Sequence, residues 1–179
     1  MRIFLRKKVC IFIIILLFLS IINPNLFSQV GDVKGWGNCL WGMNKMEVLV
    51  LYPNSIVEKN NTLVKKGYDI EGYNFEVTFL FDSLQFKLNK IMLAGQGIIS
   101  NGSSTYKLFR KKLIEKYGTP LLTEEPIIKT VKEFLGNNDF TTLWTFASSS
   151  IELQLVYLYS SQRYTLAIIY REKKVSDKL

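Results

Sequence analysis

Histidine is absent from this 179-residue chain, cysteine occurs twice and proline four times. Without histidine the commonest general base and the commonest metal ligand are missing, so Ser-His and Cys-His nucleophile pairs and zinc sites of the usual kind are excluded. Of the two cysteines, Cys10 sits inside an apolar N-terminal run and Cys39 stands alone beyond it, so removal of that run leaves no intramolecular disulfide. A domain built on the remainder must be held by its core. Adjacent acids are equally scarce. Glu124-Glu125 is the single such pair, and neighbours in an extended stretch point apart, which makes it a solvated loop feature and not a pair of acid–base catalysts.

What is present begins with a targeting pattern. Met1 to Lys8 carries Arg2, Arg6, Lys7 and Lys8 with no acid, and Val9 to Ile22 then runs 14 residues with Ser20 as its one polar member. A membrane span needs roughly 20 apolar residues and a signal-peptide core roughly 7–15, so an export signal over residues 1–28 is the expectation, ending at Ser28 before Gln29. The alternative is an uncleaved anchor, which would tether the chain to a membrane by that segment alone. Loss of residues 1–28 takes four of the 23 Lys/Arg and none of the 15 acids, leaving 19 against 15 and a net charge of +4 in place of +8. So mild a surplus gives no argument for nucleic acid.

The clearest stretch of the remainder is Tyr73–Phe81, in which Tyr73, Phe75, Val77, Phe79 and Phe81 alternate with polar or smaller residues. Period two puts all five on one side of a strand, and an apolar layer must cover them. Two amphipathic helices are available. Asn44 and Glu47 have capping-box spacing ahead of Val48, Leu51 and Tyr52, and Pro53 ends that helix. Ser103 or Ser104 opens the second, whose stripe is Tyr106, Phe109, Leu113 and Tyr117, with Gly118 and Pro120 as its stop.

Asn54 to Lys66 reads as a polar loop with one possible edge strand, Phe86 and Leu88 as the start of the strand after Asp82-Ser83, and Gly95–Gly102 as a long glycine-rich loop. Ile127 to Leu135, then Thr142–Phe146, Ile151–Tyr157 and Tyr164–Tyr170, read as a three- or four-stranded meander. The expectation is one α+β domain over residues 29–179: an antiparallel sheet with both helices packed on one face, in a loose helix-then-strands duplication. Residues 29–36 form a flexible start, and 171–179 a charged tail.

Trp41-Gly42-Met43-Asn44-Lys45-Met46-Glu47-Val48, the Tyr73–Phe81 strand and Tyr117-Gly118-Thr119-Pro120 together resemble small exported bacterial α+β proteins. These share a Trp-Gly-Met-Ser-type helix start and a Tyr-Gly-x-Pro helix end, and have no assigned activity. The resemblance implies a fold and an exported compartment. More distantly, the helix-plus-sheet duplication is similar to β-lactamase-inhibitory and outer-membrane-assembly modules, as an analogy of architecture.

Motifs that carry chemistry are thin. Ser104-Thr105-Tyr106-Lys107 matches Ser-x-x-Lys of penicillin-recognising enzymes but lacks their partner motifs, and Ser104 serves better as a cap. Leu93-Ala94-Gly95-Gln96-Gly97 lacks the third glycine of a dinucleotide turn. Two surface candidates remain. Lys107, Arg110, Lys111, Lys112 and Lys116 lie on the second helix away from its apolar stripe, a solvated face or an anion- and partner-binding patch. Trp36, Cys39 and Trp41 form the other cluster, packing for the first helix or a ligand platform.

The expectation is therefore an exported, non-catalytic binding module of the bacterial cell envelope, periplasmic or secreted. It would act on an envelope protein or an anionic surface and use no metal, cofactor or nucleic acid. A hydrolase of an envelope polymer or small ester, and a structural subunit of an envelope complex, are the alternatives. N-terminal sequencing of the exported form should begin near Gln29; a form starting at Met1 and released only by detergent would replace cleavage with anchoring.

Overall fold

Twelve elements follow one another along the chain in a computed structural model that describes residues 31–58, 62–95, 102–124, 140–158 and 163–173. A two-stranded ribbon, β1 (Gly35–Trp36) and β2 (Cys39–Leu40), precedes helix α1 (Lys45–Leu51). Four strands follow: β3 (Ile56–Glu58), β4 (Thr62–Ile70), β5 (Tyr73–Phe81) and β6 (Leu88–Gly95). Helix α2 (Gly102–Tyr117) then leads to β7 (Leu122–Glu124), β8 (Phe140–Thr145), β9 (Ser149–Leu158) and β10 (Arg163–Glu172). These last eight strands form one sheet in the order β3-β4-β5-β6-β10-β9-β8-β7, antiparallel throughout. Both runs of four strands meet at β6 and β10, so strand order reads outward in each direction from that seam. Residues 31–179 cluster as one compact unit.

Alternation in β5 produces the inner face that the sequence called for. Phe75, Val77, Phe79 and Phe81 are buried, whereas Glu76, Thr78 and Leu80 are half-exposed and Asn74 is exposed. Rings from three other segments close over them. Tyr52, at the end of α1, lies 5.1 Å from Phe79, and Trp36 of β1 reaches Phe79, Tyr52, Tyr68 and Tyr170 with centroids 5.2–6.5 Å away. Phe109 of α2 meets Tyr73 and Phe75 edge-on at 5.5 and 5.4 Å. Ring pairs of this geometry add about 0.5–1.5 kcal/mol each beyond the area they bury.

Caps fix where the helices begin and end. Asn44 Oδ1 accepts from Glu47 N at 3.0 Å and Glu47 Oε2 accepts from Asn44 N at 2.6 Å, the reciprocal box that the spacing implied. Gly118, at φ 79°, donates to the Ile114 carbonyl, and its own carbonyl accepts from Trp144 Nε1 at 2.8 Å. The stop of α2 is thereby bolted to β8. Helix α2 begins at Gly102, one residue before the expected cap, and lies close against the sheet there: a Cβ at Gly102 would come within 2.9 Å of Tyr164 and 3.1 Å of Leu155. Ser103 and Ser104 consequently lie in the first turn.

Four further expectations are revised. Within Asn54–Lys66, Ile56–Glu58 is an edge strand as expected, β3, but Thr62–Lys66 is strand as well, the first part of β4; a bulge between Lys65 and Tyr68 breaks the alternation that would have revealed it. Phe86 is not part of β6 and sits in the preceding loop. The lead-in is anchored before Trp36, with Val33 buried and Asp32 Oδ1 accepting from Ser148 N at 3.1 Å and Ser149 Oγ at 3.3 Å. At the other end Arg171 and Glu172 belong to β10, and Lys173 donates to the Phe146 and Ser148 carbonyls. The run Ile127–Leu135 and the turn that follows it lie outside the described residues.

Phe79 has no solvent exposure, so Phe79→Ala should cost about 3–5 kcal/mol in denaturant melts. Thr78→Ala, on the opposite face, should cost far less, and equal losses would overturn this assignment of faces.

Candidate functional site

The opposite face of the sheet is where strand pairing assembles side chains that lie far apart in the chain. Cα partners share a face, so one row runs Thr78, Met92, Ile169, Glu152 and Leu143 across β5, β6, β10, β9 and β8. A second runs Glu76, Ala94, Ala167, Gln154 and Thr141, and a third Leu80, Lys90, Arg171 and Ser150. Most of these residues are half-exposed; Ile169 is buried and Arg171 exposed. The middle of the face is thus largely apolar, from Met92 and Ala94 to Ala167, with Lys90, Arg171 and Glu152 gathered to one side and Glu76 apart from them.

Around Lys90 the charges are locally unbalanced, two cations to one acid. Lys90 and Arg171 are direct cross-strand partners at the seam of the sheet, and a like-charged pair directly opposite is destabilising. Glu152 Oε2 bonds Arg171 Nη2 at 3.3 Å and Glu152 Oε1 accepts from Gln154 Nε2 at 2.5 Å. The carboxylate therefore bonds Arg171 and an amide, and acts on Lys90 only through its charge. Partial burial, then the Arg171 guanidinium, hold the Lys90 ammonium below the usual lysine range, and Glu152 offsets this only in part. A perturbed cation on an accessible face is a pointer to function, because an anionic guest would relieve it.

The five cations singled out on α2 separate in the structure. Lys107 and Lys111 are exposed on the side away from the stripe, Lys111 with 75% of its side chain accessible and Glu115 at 3.9 Å. Lys112 pairs with Glu71 at 3.0 Å, and that contact raises its pKa. Glu71 and Gly72 form the two-residue turn between β4 and β5, both at positive φ of 56° and 76°, so the pair ties this hairpin to α2. Lys116 Nζ lies 5.0 Å over the Tyr117 ring, and Arg110 is half-exposed. Lys112 and Lys116 are thus engaged on the flanks of the helix, and Lys107 and Lys111 are the exposed cations of its outward side.

Trp36, Cys39 and Trp41 also separate by environment. Trp36 is buried among four rings, and Cys39 is 1% exposed, its thiol pushed up to about 11 by burial. Trp41 is half-exposed and donates from Nε1 to the Val33 carbonyl at 2.9 Å. The first two serve the core beneath β1 and α1. Tyr52 and Tyr170, raised first by burial, belong to the same aromatic layer.

Among the described residues no group of three or more Cys, Asp and Glu side chains gathers to hold a metal ion. No family model matches the chain, and neither the curated proteins nor the solved structures contain a match.

Lys90, Glu152 and Gln154 are each a single polar position in an alternating strand, and Arg171 falls in what reads from sequence as the charged tail, so none of the four stands out locally. A signal was available at Lys90, a cation one place before Ile91-Met92-Leu93, but its neighbours Arg171 and Glu152 are set by pairing across β6, β10 and β9.

A thiol pushed up to about 11 is protonated at neutral pH. Iodoacetamide at pH 8 should accordingly leave Cys39 unmodified in the folded protein and alkylate it on unfolding. Rapid native labelling would return Cys39 to consideration as part of an accessible platform.

Proposed function

We propose that this chain is an exported, non-catalytic binding module of the bacterial cell envelope, in which both helices cover the aromatic face of the sheet and a partner meets the other. The residue pattern before Gln29 and the Trp41–Val48 and Tyr117–Pro120 segments support export and kinship with small exported α+β proteins. Contacts of Tyr52 with Phe79 and of Phe109 with Phe75, two residues of one strand face, support the common side for the helices.

The observation that carries the binding surface is the Lys90–Arg171 pair. Two adjacent cations have one carboxylate between them, bonded to Arg171, and beyond the Met92–Ile169 row lies a floor of small apolar residues, Ala94 and Ala167, which lets a partner backbone come close. A partner that sets an acidic group over Lys90 and an apolar segment along Met92 and Ala167 would answer both features. Outward exposure of Lys107 and Lys111 supports a second reading, in which α2 faces an anionic surface.

Affinity capture from envelope extracts separates the two. Lys90→Met should lose the captured partner while melting at or above the wild-type temperature, since it removes a cation that burial and Arg171 both oppose. Lys107, Arg110 and Lys111 changed together to Gln should retain it. Capture that survives Lys90→Met and Ala167→Glu but fails in the α2 triple variant would move the site to the helix.

A further inference from the structure

Between β5 and β6, the loop Asp82–Lys87 displays two large apolar side chains where turn chemistry would place polar ones. Leu84 is 86% exposed and Phe86 is 59% exposed. Phe86 also holds a φ of 54°, a left-handed conformation that bulky residues rarely adopt. Strain of that kind at an exposed ring has no core to repay it, because Phe86 is packed outward.

The loop is nonetheless closely tied. Asp82 Oδ1 accepts from Leu84 N at 2.8 Å and Gln85 N at 3.1 Å, the Asp82 carbonyl accepts from Phe86 N at 2.9 Å, and Asp82 N donates to the Lys87 carbonyl at 2.7 Å. Its base is joined to the entry of α1, where Gly42 N donates to the Leu88 carbonyl at 2.9 Å and Leu88 N donates to the Met43 carbonyl at 2.8 Å. On α1 itself, Met46 and Val50 are exposed at 69% and 78% and stand four residues apart on one helical surface.

We propose that this loop is a bilayer-contact element: Leu84 and Phe86 enter the interfacial layer of a lipid membrane while the sheet remains outside it. Entry into an apolar phase requires backbone donors to be satisfied within the chain, and the N–H groups of Leu84, Gln85 and Phe86 all are, by Asp82. A protruding tip also suits a fluid surface, which needs no complementary pocket. Lys87 follows Phe86 directly, and Lys45 Nζ stands 5.9 Å over the Phe81 ring at the loop's base. Both are placed to meet phosphate head groups as the apolar tip goes in. Among the described residues no helix is long and apolar enough to cross a membrane. This inference stands apart from the sheet-face reading and uses none of its residues.

The test places an environment-sensitive fluorophore on Leu84→Cys in the full chain carrying Cys10→Ser, with Cys39 buried and unlabelled. Vesicles of phosphatidylethanolamine and phosphatidylglycerol should shift its emission to the blue, and lipid-borne doxyl groups should quench it. Phe86→Gly should reduce that quenching severalfold while leaving the melting temperature unchanged or higher, since glycine adopts positive φ freely. Lys90→Met should leave the quenching intact. A probe that stays in water with these vesicles would overturn the proposal, as would a shift produced only by envelope proteins. A drop in melting temperature for Phe86→Gly would instead mark the ring as a packing residue.

Discussion

Burial of one strand's aromatic side is the constraint on which the rest of this molecule depends. Phe75 and Phe79 lie two pleats apart on β5, and each is met by a different part of the chain: Phe109 of α2 on the first, Trp36 and Tyr52 on the second. With no disulfide available, these ring contacts hold the β1–β2 ribbon, α1 and α2 against a common strand. Caps and bolts then remove the remaining freedom, such as the Trp144 bond to Gly118 and the Tyr106 hydroxyl paired with Thr142 Oγ1 at 2.5 Å. Each helix is therefore held to the sheet by its own side-chain contacts.

Legibility in the sequence followed the range of the physics involved. Local rules were readable: the Asn44–Glu47 box, the Gly118 stop and the period-two faces of β5, β9 and β10 each depend on residues within a few positions of one another. Where a local exception intervenes, the reading fails. The bulge at Lys65–Tyr68 hides β4, and the room for glycine alone at position 102 is set by Tyr164 and Leu155, some 50–60 positions further along. Phe86 looked like a strand residue because its hydrophobicity fits alternation with Leu88, and only its backbone conformation shows otherwise.

The candidate sites divide in the same way. The cations of α2 are on one helix and could be picked out from spacing, although Glu71, which engages Lys112, could not. Lys90, Arg171 and Glu152 come from three strands and two halves of the chain. Their meeting is a property of sheet order, which hydropathy does not encode, so no motif search over one chain would have found them.

That sheet order also sets how the chain must assemble. Hairpins β4–β5, β5–β6, β8–β9 and β9–β10 pair near neighbours in sequence, but the seam joins Ala94 to Ala167, 73 positions apart. Closing so long a span incurs its loop entropy before the seam's hydrogen bonds return anything, and such pairings are intrinsically slow. Each half would then wait with β6 or β10 as a bare edge, offering an unpaired ladder to whatever strand arrives first. The vulnerable interval is the time before β6 finds β10, and exchange of halves between two molecules is the error that this topology invites.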